Sequence, residues 1–293
     1  MSEIRPDCLW PVAAELGEGP IWVESEQAVY FVDIKGQQIH RCTVFGNAQQ
    51  SWTAPQPIGF LQALSGGDFI AGLKDGLYRF KPADGSFTRC SAVEPHLPGN
   101  RLNDAYVDRK GHLWFGSMDD AETAPSGTLY RVGALGELQP KDMGYVITNG
   151  PAMSPNGLTF YHTDTMRCVV YAYDVSERGD LTNKRCLLKT RHGYPDGTCV
   201  DAEGYLWVAL FGGHRVERYS PSGRLVQTVD LPCANATKLA FGGADLRNVF
   251  VTTAWKDLSP AERAKQPLAG GLFTFRVDTP GLPLHAITQG FPL

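Results

Sequence analysis

The 293-residue chain predicts an all-β fold, a six-bladed β-propeller with four-stranded blades filling 1–293 as a single domain. Three observations predict it. A short motif recurs six times, each copy is followed by a second strand-like segment, and 32 Gly and 20 Pro supply turns for many short strands. The motif is a turn rich in Asp, Gly or Asn, then a few large apolar or aromatic residues, then a small or polar one. Two copies are nearly identical: Val107-Asp108-Arg109-Lys110-Gly111-His112-Leu113-Trp114-Phe115-Gly116 and Val200-Asp201-Ala202-Glu203-Gly204-Tyr205-Leu206-Trp207-Val208-Ala209. Weaker copies place strands at Tyr30-Phe31-Val32, Phe69-Ile70-Ala71, Phe160-Tyr161-His162 and Val249-Phe250-Val251. The six strands start about 39, 44, 47, 46 and 43 residues apart, close to the period of a propeller blade. A β-sandwich has no reason to repeat at that period.

Each repeat strand has a partner downstream. In chain order these are Gln38-Ile39-His40-Arg41, Gly76-Leu77-Tyr78-Arg79, Thr128-Leu129-Tyr130-Arg131, Val170-Tyr171-Ala172-Tyr173, Val216-Glu217-Arg218-Tyr219 and Leu272-Phe273-Thr274-Phe275. Several alternate with the period of two expected of a half-buried strand. The Trp and Tyr residues lie mostly in repeat strands, where packing between blades accounts for them. One stretch reads as helix, Leu258 to Gln266, with Ser259 as N-cap and Pro260 in the first turn.

Composition removes several classes of function. A formal net charge of -4 and the absence of any Lys/Arg run give no pull toward phosphate backbones or anionic lipid, so neither nucleic acid nor membrane is an expected partner. Met1 to Pro11 carries Glu3, Arg5 and Asp7 and lacks the apolar core of a signal peptide. No stretch approaches the roughly 18 apolar residues of a membrane span. A cytoplasmic location is expected; the oligomeric state stays open, with a monomer compatible with the sequence. The seven cysteines, at 8, 42, 90, 168, 186, 199 and 233, are scattered singly and read as reduced, mostly buried thiols.

The chemistry should sit where the innermost strands begin, about ten residues before each repeat strand, because a circular array brings equivalent positions to one ring around its axis. Those positions read Leu16-Gly17-Glu18-Gly19-Pro20, Gly59-Phe60-Leu61-Gln62, Arg101-Leu102-Asn103-Asp104, Thr148-Asn149-Gly150-Pro151, Tyr194-Pro195-Asp196-Gly197 and Ala236-Thr237-Lys238. Glu18, Asn103, Asn149 and Asp196 share nearly one offset in four blades. Any one of them beside Gly is ordinary turn chemistry. Four at one offset predict a convergent set of hard oxygen donors for a divalent cation, with two carboxylates to balance its charge. Arg101 points to the same side as Asn103 in an extended segment and offers a fork of donors to substrate hydroxyls. His162 and Asp164 read as satisfied core or turn groups. The chain has no GxSxG, HExxH or P-loop motif, so serine-nucleophile, zincin and nucleotide chemistries lack their signatures.

At these residues the chain resembles the gluconolactonase family, which includes regucalcin (senescence-marker protein) and luciferin-regenerating enzyme, over essentially its full length. The resemblance rests on Leu16-Gly17-Glu18-Gly19-Pro20-Ile21-Trp22, Arg101-Leu102-Asn103-Asp104, Thr148-Asn149-Gly150-Pro151, Tyr161-His162-Thr163-Asp164-Thr165, Tyr194-Pro195-Asp196-Gly197 and Pro267-Leu268-Ala269-Gly270-Gly271. Within the family it is similar to bacterial pentonolactonases. The resemblance implies a hydrolase that opens a small sugar lactone, one divalent metal held at Glu18, Asn149 and Asp196, catalytic Asn103 nearby on metal-bound water or substrate, and Arg101 on the substrate. Asp196 would act as the base. It also implies an acidic residue on a loop over the site; in Met118-Asp119-Asp120-Ala121-Glu122 the spacing leaves both Asp120 and Glu122 in that role. Ca²⁺, Mg²⁺, Mn²⁺, Zn²⁺ and Fe²⁺ all remain open for the metal. Two other readings stand beside this one: a metal-dependent phosphotriester or aryl-ester hydrolase, and a non-catalytic propeller scaffold.

Overall fold

A computed structural model describes residues 4–288, 290 and 291; of the expected domain, residues 1–3, 289, 292 and 293 lie outside the described residues. Six four-stranded antiparallel sheets form the blades of a propeller. The innermost strands are Gly17–Val23, Ile58–Ala63, Asn100–Val107, Thr148–Met153, Tyr194–Val200 and Asn235–Gly242, numbered here as blades 1 to 6. Each innermost strand touches those of its two neighbours, so the ring is closed and blade 3 stands opposite blade 6. Blade 6 takes its outermost strand from the other end of the chain: Asp7–Trp10 pairs with Leu272–Arg276. That closure was not read from the sequence, since Asp7–Trp10 lies outside the repeat.

The repeat motif owes its form to its aspartate. Asp108 accepts from the backbone N–H of Lys110 and His112 and from Trp114 Nε1; Asp201 does the same for Glu203, Tyr205 and Trp207 Nε1. One carboxylate thereby closes the turn and fixes the buried Trp that packs between blades. Ring contacts join neighbouring blades, as in Tyr30 with Phe69, Trp114 with Phe160 and Trp207 with Phe241. Inner strands are buried on both faces, while an outermost strand such as Leu181–Lys189 is largely exposed. The predicted helix forms over Pro260–Lys265, with a capping box between Ser259 and Glu262.

The two ends of the central channel differ. Residues 280–288 cross the lower face, bonding to Ala202, Leu246, Ala63 and Gly111, and Ile287 is buried against Leu64 and Val107. Leu282 to His285 line the cavity of about 130 Å³ that this segment closes off. The upper end, where the innermost strands begin, stays open to a second cavity. No helix among the described residues is long and apolar enough to cross a membrane.

Candidate functional site

All six innermost strands carry a break in register near their start, between Glu18 and Ile21, Ile58 and Phe60, Leu102 and Ala105, Asn149 and Ala152, Pro195 and Thr198, and Ala236 and Lys238. A bulge of this kind bends the strand and re-aims the side chains at the break. Glu18, Asn103, Asn149 and Asp196 sit at four of these bulges, and all four line one cavity of about 220 Å³. Gly150 shows why the turn residues are small. Its φ of 54° is left-handed, and a Cβ there would meet Thr163 Oγ1 at 2.6 Å and Thr198 Cγ2 at 2.8 Å.

A chain of hydrogen bonds holds the ring from blade to blade. Arg101 Nη1 donates to Asn103 Oδ1 (2.5 Å), Asn103 Nδ2 donates to Asn149 Oδ1 (2.7 Å), and Asn149 Nδ2 donates to Thr165 Oγ1 (3.1 Å). Thr165 in turn donates to the carbonyl of Pro195 (2.9 Å), beside Asp196. Thr165 belongs to the motif that carries the family resemblance, yet sequence reasoning gave it no place in the site. Arg101 is 3% exposed, and its Nε donates to Asp120 at 2.9 Å. Burial would raise the Asp120 carboxyl, but Lys35, Arg101 and Lys74 together carry it below the usual carboxylate range.

The carboxyl groups of Glu18 and Asp196 are buried against each other. Burial pushes Glu18 up to about 7, with the charge of Asp104 adding to the shift, and it raises Asp196 far above the usual range, with the charge of Glu18 second. Asp196 Oδ1 is buried without a hydrogen-bond partner. The Lys238 ammonium acts on both carboxyl groups, but it is already paired with Asp104, so the pressed-together pair with its free oxygen would be balanced by a divalent cation. Among the described residues no three of His, Cys, Asp and Glu form a metal-holding group, so a cation here would draw on amide oxygen as well. Asn149 Oδ1 accepts one hydrogen bond and keeps a second lone pair for that purpose. The donor chemistry therefore fits a hard divalent ion.

Beneath the ring, the Lys238 ammonium of blade 6 meets the Asp104 carboxylate of blade 3, and Asp104 also accepts from the N–H of Ala105 (2.7 Å) and Gly150 (2.8 Å). Above the ring lies the loop after Leu113–Asp119. Asp119 accepts from Thr123 N (3.0 Å), Thr123 Oγ1 (2.9 Å) and Ala124 N (2.8 Å), bonds that hold its carboxyl down at about 2 and knit the loop into a fixed turn. The loop sets its two candidate acids in different surroundings. Asp120 faces Arg101 and Lys35, whereas Glu122 lines the cavity and pairs with Lys256 Nζ at 3.1 Å. Lys256 was missed because only the starts of the innermost strands had been compared; it lies just past the second strand of blade 6, Asn248–Ala254.

Asp164 behaves as expected, accepting from Arg167 N and Nη1. His162 does not. It is fully buried with neither ring nitrogen hydrogen-bonded, set edge-on to Tyr145, and burial holds its imidazole neutral with a pKa near 3. Its strand faces a ring-lined interior that offers it contact but no polar partner.

Comparison with known proteins adds three findings. Residues 16–255 match the SMP-30/gluconolactonase/LRE-like region. The chain is 33% identical over 285 residues to a 6-deoxy-6-sulfogluconolactonase of Pseudomonas putida, covering 95% of this chain and 98% of that one, and 34% identical to regucalcin of Xenopus laevis, covering 93% and 94%. Among solved structures, a calcium-binding regucalcin of Agrobacterium tumefaciens superposes with a TM-score of 0.93 at 25% identity, covering 97% of this chain and 98% of the other.

Proposed function

The chain belongs to the SMP-30/gluconolactonase/LRE-like family, and from that premise we propose that it is a carboxylic-ester hydrolase opening small sugar lactones to aldonic acids with the help of one divalent cation. Relatives named as a sulfogluconolactonase and a calcium-binding protein support the lactone and the cation respectively. The observation that carries the reading is the buried Asp196 Oδ1, unpartnered beside Glu18 in a cavity the size of a sugar ring.

Glu18, Asn149 and Asp196 would hold the cation, which when bound supplies Lewis acidity toward the lactone carbonyl. The chain's own residues do the rest. Arg101 and Asn103, already joined, orient the sugar hydroxyls, and Asp120 keeps the Arg101 guanidinium in place. Glu122 faces the substrate from the loop above. Leu16, Met118, Ile147 and Phe211 line the same cavity and limit water to the attacking molecule. As water adds to the carbonyl carbon, Asp196 takes its proton; as the acyl carbon–ring oxygen bond breaks, Asp196 returns that proton to the ring oxygen. A cytoplasmic setting suits the seven free thiols.

A panel of aldonolactones, assayed after chelation and re-addition of Ca²⁺, Mg²⁺, Mn²⁺, Zn²⁺ or Fe²⁺, tests the reading and assigns the metal. Asp196→Asn is expected to lower kcat by about 10²–10⁴-fold. Glu18→Gln is expected to weaken cation affinity with less effect on turnover at saturating metal. Full activity in both variants would refute the assignment.

A further inference from the structure

The Glu122–Lys256 pair joins opposite blades. Glu122 comes from the turn after the second strand of blade 3 and Lys256 from the equivalent turn of blade 6, so their 3.1 Å contact spans the mouth of the channel. Both side chains line the cavity above Glu18 and Asp196. Neither end is loose. The Lys256 backbone N–H donates to the Glu15 carbonyl (2.9 Å), its own carbonyl accepts from Asn235 Nδ2 (2.8 Å), and its ammonium is also held by Asp257 at 2.7 Å. Glu122 sits at a left-handed φ of 59° within the turn that Asp119 knits together. Two anchored charges thus face each other across the path a substrate must take, and they are only partly exposed, at 18% and 31%.

A molecule that parts them must give Glu122 a new partner and take the place of one of the two carboxylates on the Lys256 ammonium, which keeps Asp257. A sugar hydroxyl can do both, donating to the Glu122 carboxylate and accepting from the Lys256 ammonium. A methylene can do neither, and would leave the Glu122 carboxylate without its cation and the Lys256 ammonium with Asp257 alone. We propose that Lys256 is a specificity-determining residue, one that admits polyhydroxylated lactones and rejects unsubstituted lactones of the same ring size. This rests on the lactonase reading and adds the criterion by which the site chooses. The physical basis is the asymmetry of polar recognition: a site built to bond hydroxyls penalises the analogue without them far more than an apolar pocket penalises an extra methylene.

The test compares glucono-δ-lactone with δ-valerolactone on the full chain, corrected for spontaneous opening. Wild type should favour the sugar lactone. Lys256→Met, which keeps the stem and removes the charge, should reduce the ratio of kcat/KM values by about tenfold or more, mainly through KM, with kcat for the sugar lactone within about twofold. Lys256→Arg, which retains a cation at the same place, should preserve most of the preference. A Lys256→Met enzyme that changes both substrates by the same factor, or loses kcat alone, overturns the inference and leaves the lactonase reading standing. A wild-type chain that opens neither substrate overturns both.

Discussion

Two ion pairs join blade 3 to blade 6, one below the site and one above it, and depth makes them different devices. Below, Asp104 and Lys238 have side chains only 2% and 8% exposed. Their further hydrogen bonds run to backbone: Asp104 accepts from Ala105 and Gly150, and Lys238 donates to the Ala105 carbonyl. Above, Glu122 and Lys256 are reached by water and can trade each other for a solvent or substrate hydroxyl. A buried pair tied into the backbone is part of the frame, whereas a partly exposed pair across an entrance is exchangeable. The lower pair also sets the electrical surroundings of the site, since Asp104 raises Glu18 and Lys238 lowers it.

The sharpest way to break this contrast is to remove one partner of the lower pair. Lys238→Met leaves Asp104 as an uncompensated buried charge, and the unfolding free energy in urea should fall by about 3–5 kcal/mol. Adding Asp104→Asn to that variant should recover part of the loss, because the stranded charge is gone. A Lys238→Met chain within about 1 kcal/mol of wild type would mean that water reaches Asp104 and that the lower pair is no more structural than the upper.

A second experiment uses the carboxylates that lie between the pairs. In cation-free protein, the folded-state pKa of Glu18 near 7 stands above its unfolded value of 4.5. Between those values the native state binds more protons than the unfolded one, so stability falls as pH rises. Denaturation of the chelated chain at pH about 5 and about 8 should show a loss of a few kcal/mol at the higher pH. Glu18→Gln should flatten that slope, and a divalent cation should stabilise the wild type more at high pH than at low. A stability profile that rises over this window would show that the two carboxyl groups do not share a dry site.

How much of this was legible in the sequence follows from where the repeat reaches. The Asp–Gly turn and the apolar strand after it are local, so Asp108 and Asp201 announced their blades, and the shared offset of Glu18, Asn103, Asn149 and Asp196 led to one cavity. The bulges were not visible as such, although the Gly and Pro that permit them were. What stayed hidden depends on contacts between distant segments. Asp7–Trp10 closes blade 6 without resembling a repeat strand, and residues 280–288 seal the lower face with backbone bonds that leave no pattern. Lys238 and Lys256 each meet a carboxylate more than a hundred positions away, on the opposite blade. Comparing the turns after the second strands, where Lys35, Lys74, Glu122 and Lys256 all fall, would have exposed the ring of charge around the mouth.

The smallest expected effect bears on the upper pair itself. If Glu122 and Lys256 are exchangeable, each should contribute little to folding: Lys256→Met should cost less than about 1 kcal/mol in urea. A double-mutant cycle with Glu122→Gln should give a coupling of about 0.2–1 kcal/mol. Salt distinguishes the two depths further. At about 1 M ionic strength the screening length is near 3 Å, so the coupling across the mouth should vanish while the Lys238→Met penalty persists, because the lower pair is buried and screened far less. An upper coupling as large as the lower one, and insensitive to salt, would make the pair a fixed brace. Substrate could not then displace Glu122 from Lys256 at a cost that hydroxyl groups repay, and selection at the mouth would have to reside in Arg101 and Asn103 alone.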